Sequence, residues 1–267
     1  MSQEFLEFAK KLAQQAGEIL MAHYDEIDGA DIQFKSTREL VTKADLLSER
    51  KIVSQIQQLY PQHQILAEEE SSSPSSSPYR WIIDPLDGTT NYVHSHPFFA
   101  VSIALECKGE LLVGVVFAPY LEELFYACKG YGAYLNDEPI RVSKADTLIK
   151  SILATGFSYH RDNPKYDNTP NLVNLIHKVR GIRRCGSAAL DLAYVAAGRY
   201  DGFWEIGLQP YDVAAGALIV EEAGGVVSDF ENGPDFLFGE NIVASNGWIH
   251  VDILENLQPF PADEKRT

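Results

Sequence analysis

Apolar side chains recur every three or four positions over the first 24 residues of the chain. This spacing places them on one face of a helix, so it predicts an amphipathic helix over residues 2–24. The same spacing at Leu47, Ile52, Ile56 and Leu59 predicts a second helix over residues 45–60. The polar stretch between them, residues 34–42, is expected to form a loop that leads into the second helix. The apolar positions of the first helix are Phe5, Phe8, Ala9, Leu12, Ala16, Ile19 and Leu20.

Short apolar runs later in the chain predict strands. One strand is expected over residues 64–67, and another over residues 81–83 leads directly into Asp84. Pro85 has no N–H for a sheet ladder, so the second of these strands is expected to stop at Asp84. Residues 71–78 are rich in Ser and Pro and are expected to form an exposed loop. Paired strands are predicted over residues 98–106, 111–117 and 124–127.

The second half of the chain mixes the two kinds of element. Helices are predicted over residues 187–198 and 212–223, and strands over residues 202–206, 226–228 and 242–245. Strands interleaved with helices indicate α/β layers. Because no linker-like segment divides the chain, we expect residues 1–267 to form a single domain.

Composition narrows the classes of protein to which the chain can belong. Its 267 residues are 45% hydrophobic and 22% charged, which is typical of a globular protein. No apolar stretch is long enough to span a membrane, and the N-terminus, with Glu4, lacks the positive charge of a signal peptide. The three widely spaced cysteines favour free thiols and a cytoplasmic location.

Net charge bears on the possible partners. A formal net charge of −16 argues against direct binding to nucleic acid, which depends on Lys and Arg. Lys178, Arg180, Arg183 and Arg184 could form a local basic patch, which we interpret as solvated surface charge.

The segment from Asp84 to Asn91 carries the most informative chemistry. A buried strand leads into Asp84 and Asp87, and Gly88 follows, which lets the backbone turn sharply and approach a ligand. Two carboxylates and nearby carbonyls suit a hard cation such as Mg²⁺ better than zinc. The alternative is that both aspartates only open a turn.

Three further carboxylates are placed where a metal site would need them. Glu69 follows the strand at 64–67, Asp212 opens a predicted helix, and Asp45 begins the second helix. Each has a structural alternative: Glu69 belongs to a run of glutamates, and Asp45 and Asp212 could simply cap their helices. Two carboxylates about 5 Å apart repel by about 3 kcal/mol, and four in one pocket by on the order of 15 kcal/mol. Either these carboxylates do not meet in the folded chain, or divalent cations compensate their charges.

The two longest motifs resemble the signatures of the inositol monophosphatase family. The segment from Asp84 to Asn91 is similar to the first signature, and the segment from Gln209 to Gly225 is similar to the second. The Ala67–Glu69 stretch resembles the element that precedes the first signature, and the stretches 35–37 and 40–45 resemble the upstream Lys-Ser…Asp segment. The similarity runs from about residue 5 to residue 250 in the family's order.

This resemblance implies an αβαβα sandwich and Mg²⁺-dependent hydrolysis of a small phosphate monoester, most simply inositol 1-phosphate. The half over about residues 1–145 would hold two or three Mg²⁺ ions, and the half over about residues 146–267 would form the substrate pocket. The implied metal ligands are Glu69, Asp84, the Leu86 carbonyl, Asp87 and Asp212. The implied catalytic residues are Glu69, Asp45 and Thr89, which orient and deprotonate water. The implied substrate-binding residues are Asp87, Gly88, Thr89, Gly186, Ser187, Ala188, Glu205 and Asp212.

The chain departs from the usual family pattern near this site. Tyr211 replaces the more common Trp, and Gln209 lies where the family varies, so substrate specificity is left open. The run of glutamates also leaves Glu70 as a rival to Glu69.

Several alternative functions remain at this point. A haloacid dehalogenase type of phosphatase has a similar motif, but only one residue separates its two acids, and here Pro85 and Leu86 intervene. Relatives within the family act on histidinol phosphate, fructose 1,6-bisphosphate or 3′,5′-bisphosphonucleotides. A regulatory protein-binding role in transcription complexes is a third possibility. The resemblance further implies a homodimer and inhibition by Li⁺, whereas His94 and His96 are interpreted as ordinary loop residues.

Overall fold

The computed structural model of the chain describes residues 2–24, 32–34, 40–69, 72–73 and 76–261. The helices of the first half are α1 (Ser2–Tyr24), α2 (Lys43–Leu59) and α3 (Thr89–Val93). Its strands are β1 (Ile32–Phe34), β2 (Leu40–Thr42), β3 (Gln64–Ala67), β4 (Ser72–Ser73), β5 (Tyr79–Asp87), β6 (Ala100–Cys107), β7 (Glu110–Ala118), β8 (Glu123–Cys128), β9 (Ala133–Leu135) and β10 (Glu138–Ile140).

The second half begins with the strand β11 (Ile152–Thr155), which the sequence patterns did not predict. Its helices are α4 (Thr169–Ile176), α5 (Ala188–Ala196), α6 (Pro210–Glu222) and α7 (His250–Leu254). Its other strands are β12 (Gly181–Arg183), β13 (Gly202–Ile206), β14 (Val226–Ser228) and β15 (Asn241–Ser245). Short 3₁₀ turns at Leu148–Lys150 and Pro164–Tyr166 connect these elements.

The strands form two large sheets. The order of the first is β10-β9-β8-β7-β6-β5-β3-β4, and the order of the second is β12-β11-β13-β15-β14. Most neighbours are antiparallel, but β3 runs parallel to β5, and β11 runs parallel to both β12 and β13. A separate ribbon pairs β1 with β2, so Phe34 and residues 40–42 of the predicted polar loop lie in strands.

Helices cover both sheets. Helices α1 and α2 pack on one face of the larger sheet, and α5 and α6 lie between its other face and the smaller sheet. On the outer face of the smaller sheet, Leu175 of α4 and Ile253 of α7 join a buried cluster that includes Trp204. Successive strand residues point to opposite faces, so Phe203 packs instead in the central helical layer. The layer order confirms the expected αβαβα sandwich.

Strand β5 is buried on both faces and does not end where the sequence predicted. It continues from Tyr79 to Asp87, with an irregularity in its pairing to β6 between Asp84 and Asp87. Pro85 lies within this irregularity, where a missing N–H costs the ladder little. The prediction that the strand stops at Asp84 was therefore wrong. The bulge places Asp84 and Asp87 at the end of one strand.

The two aspartates that could have capped helices occupy the third helical position instead. Thr42 caps α2, and its backbone N–H donates to Oδ2 of Asp45 at 2.9 Å. Gln209 precedes α6, and its N–H donates to Oδ2 of Asp212 at 2.6 Å. Each carboxylate stabilises its helix N-terminus through one oxygen. Each aspartate can therefore stabilise its helix N-terminus and still belong to the predicted site.

Other expectations have mixed outcomes. Of the Ser- and Pro-rich loop, Ser72–Ser73 is a short strand paired with β3, and residues 71, 74 and 75 lie outside the described residues. The Lys-Ser-Thr stretch at 35–37 and Glu70 also lie outside them. Cys107, Cys128 and Cys185 are free thiols. Among the described residues, no helix combines the length and apolar character needed to cross a membrane.

Candidate active site

A cluster of carboxylates lies where the larger sheet meets the central helices. Asp84 and Asp87 come from the end of β5, and Asp212 comes from the first turn of α6. Each of the three offers one oxygen, and these oxygens all lie within 4.8 Å of one another. Residues separated by more than 120 positions in the chain therefore form a single donor set of oxygen atoms. Such a set suits a hard divalent cation.

Glu68, and not Glu69, is the glutamate that lines the cleft beside this cluster. Strands β3 and β5 are parallel, with Ala67 opposite Ile83. Continuing this register by one residue brings Glu68 next to Asp84. The chain then turns, and the N–H of Glu69 donates to Oε2 of Glu49 at 2.7 Å. The placement of Glu69 at the site is therefore corrected to Glu68.

The clustered carboxylates raise one another's pKa. Burial raises the pKa of Asp84 well above its usual value, and the charges of Glu68, Asp87 and Asp212 add to the increase. The pKa of Asp212 is likewise raised well above its usual value by burial and by Asp87. A protein gains nothing in stability from holding these anions together without a counter-charge. Their arrangement fits a bound cation.

Asp87 is held by the second half of the chain. Its Oδ2 accepts hydrogen bonds from the Ser187 hydroxyl at 2.5 Å and from the Ala189 N–H at 2.7 Å. Burial raises the pKa of Asp87 to about 6, although these hydrogen bonds oppose the increase. Ser187 also caps α5, so the hydrogen bond to Asp87 connects the start of that helix to the end of β5.

Gly88 makes the turn that follows Asp87. Its φ is 97°, and a Cβ here would lie 3.0 Å from the Phe98 carbonyl oxygen and 3.3 Å from that of Gly186. Any other residue would be strained and crowded at this position. The backbone of Gly88 consequently lies against the loop that carries Gly186.

Thr89 and Asp45 form the hydrogen bond that the resemblance implied. The Thr89 hydroxyl lies 3.2 Å from Oδ1 of Asp45 and 3.1 Å from the Leu86 carbonyl oxygen. The hydroxyl of Thr42 also donates to Oδ2 of Asp45. Burial raises the pKa of Asp45 to about 6, and the charge of Glu68 contributes to this increase against the hydrogen bonds from Thr42.

A cleft of about 300 Å³ opens in front of the carboxylates. Every residue expected at the site lines it except Asp45, which lies behind Thr89, and Glu69, which Glu68 replaces. The cleft also has lining residues that sequence reasoning missed: Phe157, Ser158, Tyr159, His160, Arg184, Gly207 and Leu208. Six of these, together with Gly156, lie just after the strand ends at Thr155 and Ile206. The apolar run that ends before Gly156 is the sequence pattern that could have identified residues 157–160 as part of the cleft.

Glu205 lines the cleft beside Gly156, at the start of this new loop. A Cβ on Gly156 would lie 2.2 Å from the Glu205 carboxylate oxygens, so only glycine leaves room for this side chain. Burial raises the pKa of Glu205 to about 8, and the charge of Arg184 opposes the increase. Buried Asp191 lies behind it, and its pKa is raised by burial and by Glu205.

The remaining metal-binding candidates lie outside the site. His94 and His96 are exposed and do not line the cleft. Within the described part of the chain, the cluster able to hold a metal consists of Asp84, Asp87 and Asp212.

Comparisons with known proteins agree with this geometry. A family model described as the inositol monophosphatase family matches residues 1–259. The Nus factor SuhB of Pseudomonas aeruginosa is 44% identical, over 99% of this chain and 100% of its own length. The inositol-1-monophosphatase of a Synechocystis species is 43% identical, over 97% of this chain and 90% of its own. A solved inositol monophosphatase structure from Anabaena superposes with a TM-score of 0.88 at 42% identity, covering 97% of each chain.

Proposed function

The chain belongs to the inositol monophosphatase family, and from this premise we propose that it is a Mg²⁺-dependent phosphatase of small phosphate monoesters. Inositol 1-phosphate is the first candidate substrate, because one relative over almost the whole chain is named inositol-1-monophosphatase. The observation that carries the proposal is the convergence of Asp84, Asp87 and Asp212 within 4.8 Å in a cleft that Glu68 also lines.

The donor set fits two Mg²⁺ ions, with a third held more weakly. Glu68, Asp84 and the Leu86 carbonyl would hold one ion, and Asp84, Asp87 and Asp212 would hold another. A third ion would contact Glu68. Each ligand atom is oxygen, and the mutual repulsion of the carboxylates provides the driving force for binding. When bound, Mg²⁺ lowers the pKa of water and stabilises charge on the reacting phosphate oxygens.

The Thr89 hydroxyl would orient the attacking water. Its single proton is directed to Asp45 or to the Leu86 carbonyl, so its lone pairs remain free to accept a hydrogen bond from water. Thr42 fixes the Asp45 carboxylate from its other oxygen. Glu68 would complete the arrangement as the proton acceptor, in the role that the sequence assigned to Glu69. No residue needs to form a covalent phosphoenzyme.

Other groups would bind the two ends of the substrate. The backbone N–H groups of Gly88 and Thr89 would bind phosphate oxygens, as successive N–H groups in turns commonly do. Ser187, Ala188 and Glu205, together with Gly186, would contact the hydroxyl groups of the alcohol. Histidinol phosphate, fructose 1,6-bisphosphate and 3′,5′-bisphosphonucleotides remain candidate substrates, since all share the same scissile group.

A second function is protein binding in a transcription complex. The relative from Pseudomonas aeruginosa is named a Nus factor and matches 99% of this chain. A protein partner, a homodimer and a cytoplasmic location all fit this role, and direct nucleic-acid binding is not expected from a net charge of −16. The two functions are compatible, because the cleft occupies only part of the surface.

Phosphate release from inositol 1-phosphate, with and without Mg²⁺, tests the enzymatic function. We expect activity that depends on Mg²⁺, is abolished by chelation and is inhibited by Li⁺. Asp84→Asn should remove the activity. Asp146→Asn is the matched control, because Asp146 is exposed and pairs with Lys150. Undiminished activity after exhaustive chelation would contradict the mechanism. Retention of a protein partner by Asp84→Asn in a pull-down would support the second function separately.

A further inference from the structure

Asn168 is a fully buried amide directly behind one wall of the cleft. It occupies the N-cap position of α4, where an asparagine side chain commonly accepts an N–H from the first turn of the helix. Within the described residues, the Asn168 side chain makes no such capping bond. The amide is directed instead towards the ends of β11 and β13, where Gly156 and Glu205 line the cleft. Helix capping therefore does not account for this side chain.

Every hydrogen-bonding position of the Asn168 amide is used. Its Nδ2 donates to the Gly156 carbonyl oxygen at 2.8 Å and to Oγ1 of Thr155 at 2.9 Å. Its Oδ1 accepts from Nε1 of Trp204 at 2.9 Å and from Nδ2 of Asn171 at 3.0 Å. The indole N–H can only donate and the carbonyl can only accept, so the orientation of the amide is fixed. Its removal would leave several buried polar groups without a partner, which is costly.

These hydrogen bonds join the two strand ends that form this wall of the cleft. Strands β11 and β13 are parallel, with Thr155 opposite Trp204, and the Thr155 hydroxyl donates to the Trp204 carbonyl oxygen at 2.7 Å. Gly156 and Glu205 follow these two residues directly in the chain. A Cβ on Gly156 would lie 2.2 Å from the Glu205 carboxylate oxygens, so the carboxylate packs against the Gly156 backbone. A shift of the Gly156 peptide would therefore change the space that Glu205 occupies.

We propose that Asn168 is a positioning residue for the alcohol-binding wall: by holding Gly156 and the adjoining strand ends, it sets the place at which Glu205 binds a hydroxyl group of the substrate. The inference rests on the proposed function, because Glu205 is taken to contact the alcohol. The proposed metal ligands come from the ends of β3 and β5 and from α6, and among the described residues none of them shares a hydrogen bond with Asn168. Asn168 thus governs recognition of a hydroxyl-bearing alcohol and leaves the hydrolysis itself unaffected.

Steady-state kinetics with two substrates test the proposal. Inositol 1-phosphate carries hydroxyl groups that Glu205 can bind, whereas 4-nitrophenyl phosphate carries none. We expect Asn168→Ala to raise KM for inositol 1-phosphate about 10-fold or more, with kcat little changed. Both constants for 4-nitrophenyl phosphate should stay close to those of the wild type. Asn168→Ser should behave in the same way, because a serine can cap α4 and support folding but does not replace the amide.

Two controls on the same helix separate positioning from a general loss of stability. Asn174→Ala removes an asparagine whose Nδ2 donates to the Asn256 carbonyl oxygen at 3.2 Å and which does not line the cleft. Leu175→Ala removes a fully buried side chain, so it should lower the Tm through the cavity that it leaves. Both variants should keep the wild-type KM for inositol 1-phosphate. A KM increase in Leu175→Ala as large as that in Asn168→Ala would assign the effect to lost stability and overturn the positioning role.

An NMR titration that needs no substrate separates this inference from the proposed function. Burial raises the pKa of Glu205 to about 8, and this pKa is measured by ¹³C NMR in the metal-free protein, with Glu205→Gln to assign the signal. In Asn168→Ala and Asn168→Ser, the pKa of Glu205 should fall towards its usual value, because water enters once Gly156 is no longer held. The expected fall without any phosphate release by the wild type would reject the proposed function alone. An unchanged pKa of Glu205 in both variants, or equal losses of kcat/KM for the two substrates, would overturn the role of Asn168.

Discussion

The hydroxyl of Ser187 donates to Oδ2 of Asp87 over 2.5 Å, although the two residues are 100 positions apart. Ser187 caps α5 in the second half of the chain, and Asp87 ends β5 in the first half. This hydrogen bond holds the Asp87 carboxylate in place beside Asp84 and Asp212. The proposed metal site therefore depends on how the two halves pack against each other.

Ser187→Ala should weaken Mg²⁺ binding. The substitution removes one of the two hydrogen bonds that orient Asp87. The loss of a hydrogen bond to a metal ligand typically costs roughly 10- to 100-fold in metal affinity or activity. The Mg²⁺ concentration that gives half-maximal phosphate release should rise, whereas Ser187→Thr should retain most of the wild-type behaviour. An unchanged Mg²⁺ requirement in Ser187→Ala would show that the Ala189 N–H is sufficient to orient Asp87.

The neighbouring glutamates provide a direct test of the corrected assignment. Glu68→Gln should lower kcat/KM for phosphate release by about 100-fold or more, because Glu68 is itself a proposed metal ligand. The loss of a residue that only hydrogen-bonds to a metal ligand already costs roughly 10- to 100-fold. Glu69→Gln should retain most of the activity, because Glu69 does not line the cleft. Steady-state assays of both variants at saturating Mg²⁺ make the comparison. The reverse ranking would restore the assignment of Glu69.

Removal of the Thr89 hydroxyl should affect turnover more than binding. Thr89→Val keeps the side-chain volume but breaks the contacts with Asp45 and the Leu86 carbonyl. We expect kcat to fall by about 10²- to 10⁴-fold, which is the usual contribution of positioned acid–base groups. Thr89→Ser keeps a hydroxyl and should recover much of the rate. If Thr89→Val raises KM alone, the hydroxyl does not act on the water.

The metal-free protein should lose stability as the pH rises. The pKa values of Asp45 and Asp87 are each raised to about 6, and that of Glu205 to about 8, so the folded state holds more protons than the unfolded state between about pH 4 and these values. Unfolding then becomes easier as these protons are lost, and the Tm in chelator should fall from pH 5 to pH 8. Bound Mg²⁺ favours the ionised carboxylates and should reduce or reverse this trend. Thermal unfolding with EDTA and with Mg²⁺ measures both effects; a Tm in EDTA that rises with pH would contradict the assigned directions.

Much of the fold and of the site chemistry was determined by local sequence. The helical spacing of apolar residues predicted α1 and α2 within a few residues, and most of the paired strands were also placed correctly. Asp84, Asp87, Gly88 and Thr89 could be identified because their chemistry lies in one continuous segment. Where an element depended on contacts outside its own segment, prediction failed: β5 continues through Pro85 because β6 accommodates the bulge.

Tertiary structure alone decided which glutamate faces the cleft, how Asp45 and Asp212 combine helix capping with the site, and which residues form the outer wall. Glu68 is selected over Glu69 by the register of β3 against β5, and Arg184 reaches the cleft because α5 packs beside the end of β5. Helical and strand periodicities are properties of neighbouring residues, so a sequence displays them directly. The direction in which a side chain points across a cleft depends on pairing between distant segments, which forms only when both halves bury their apolar faces together.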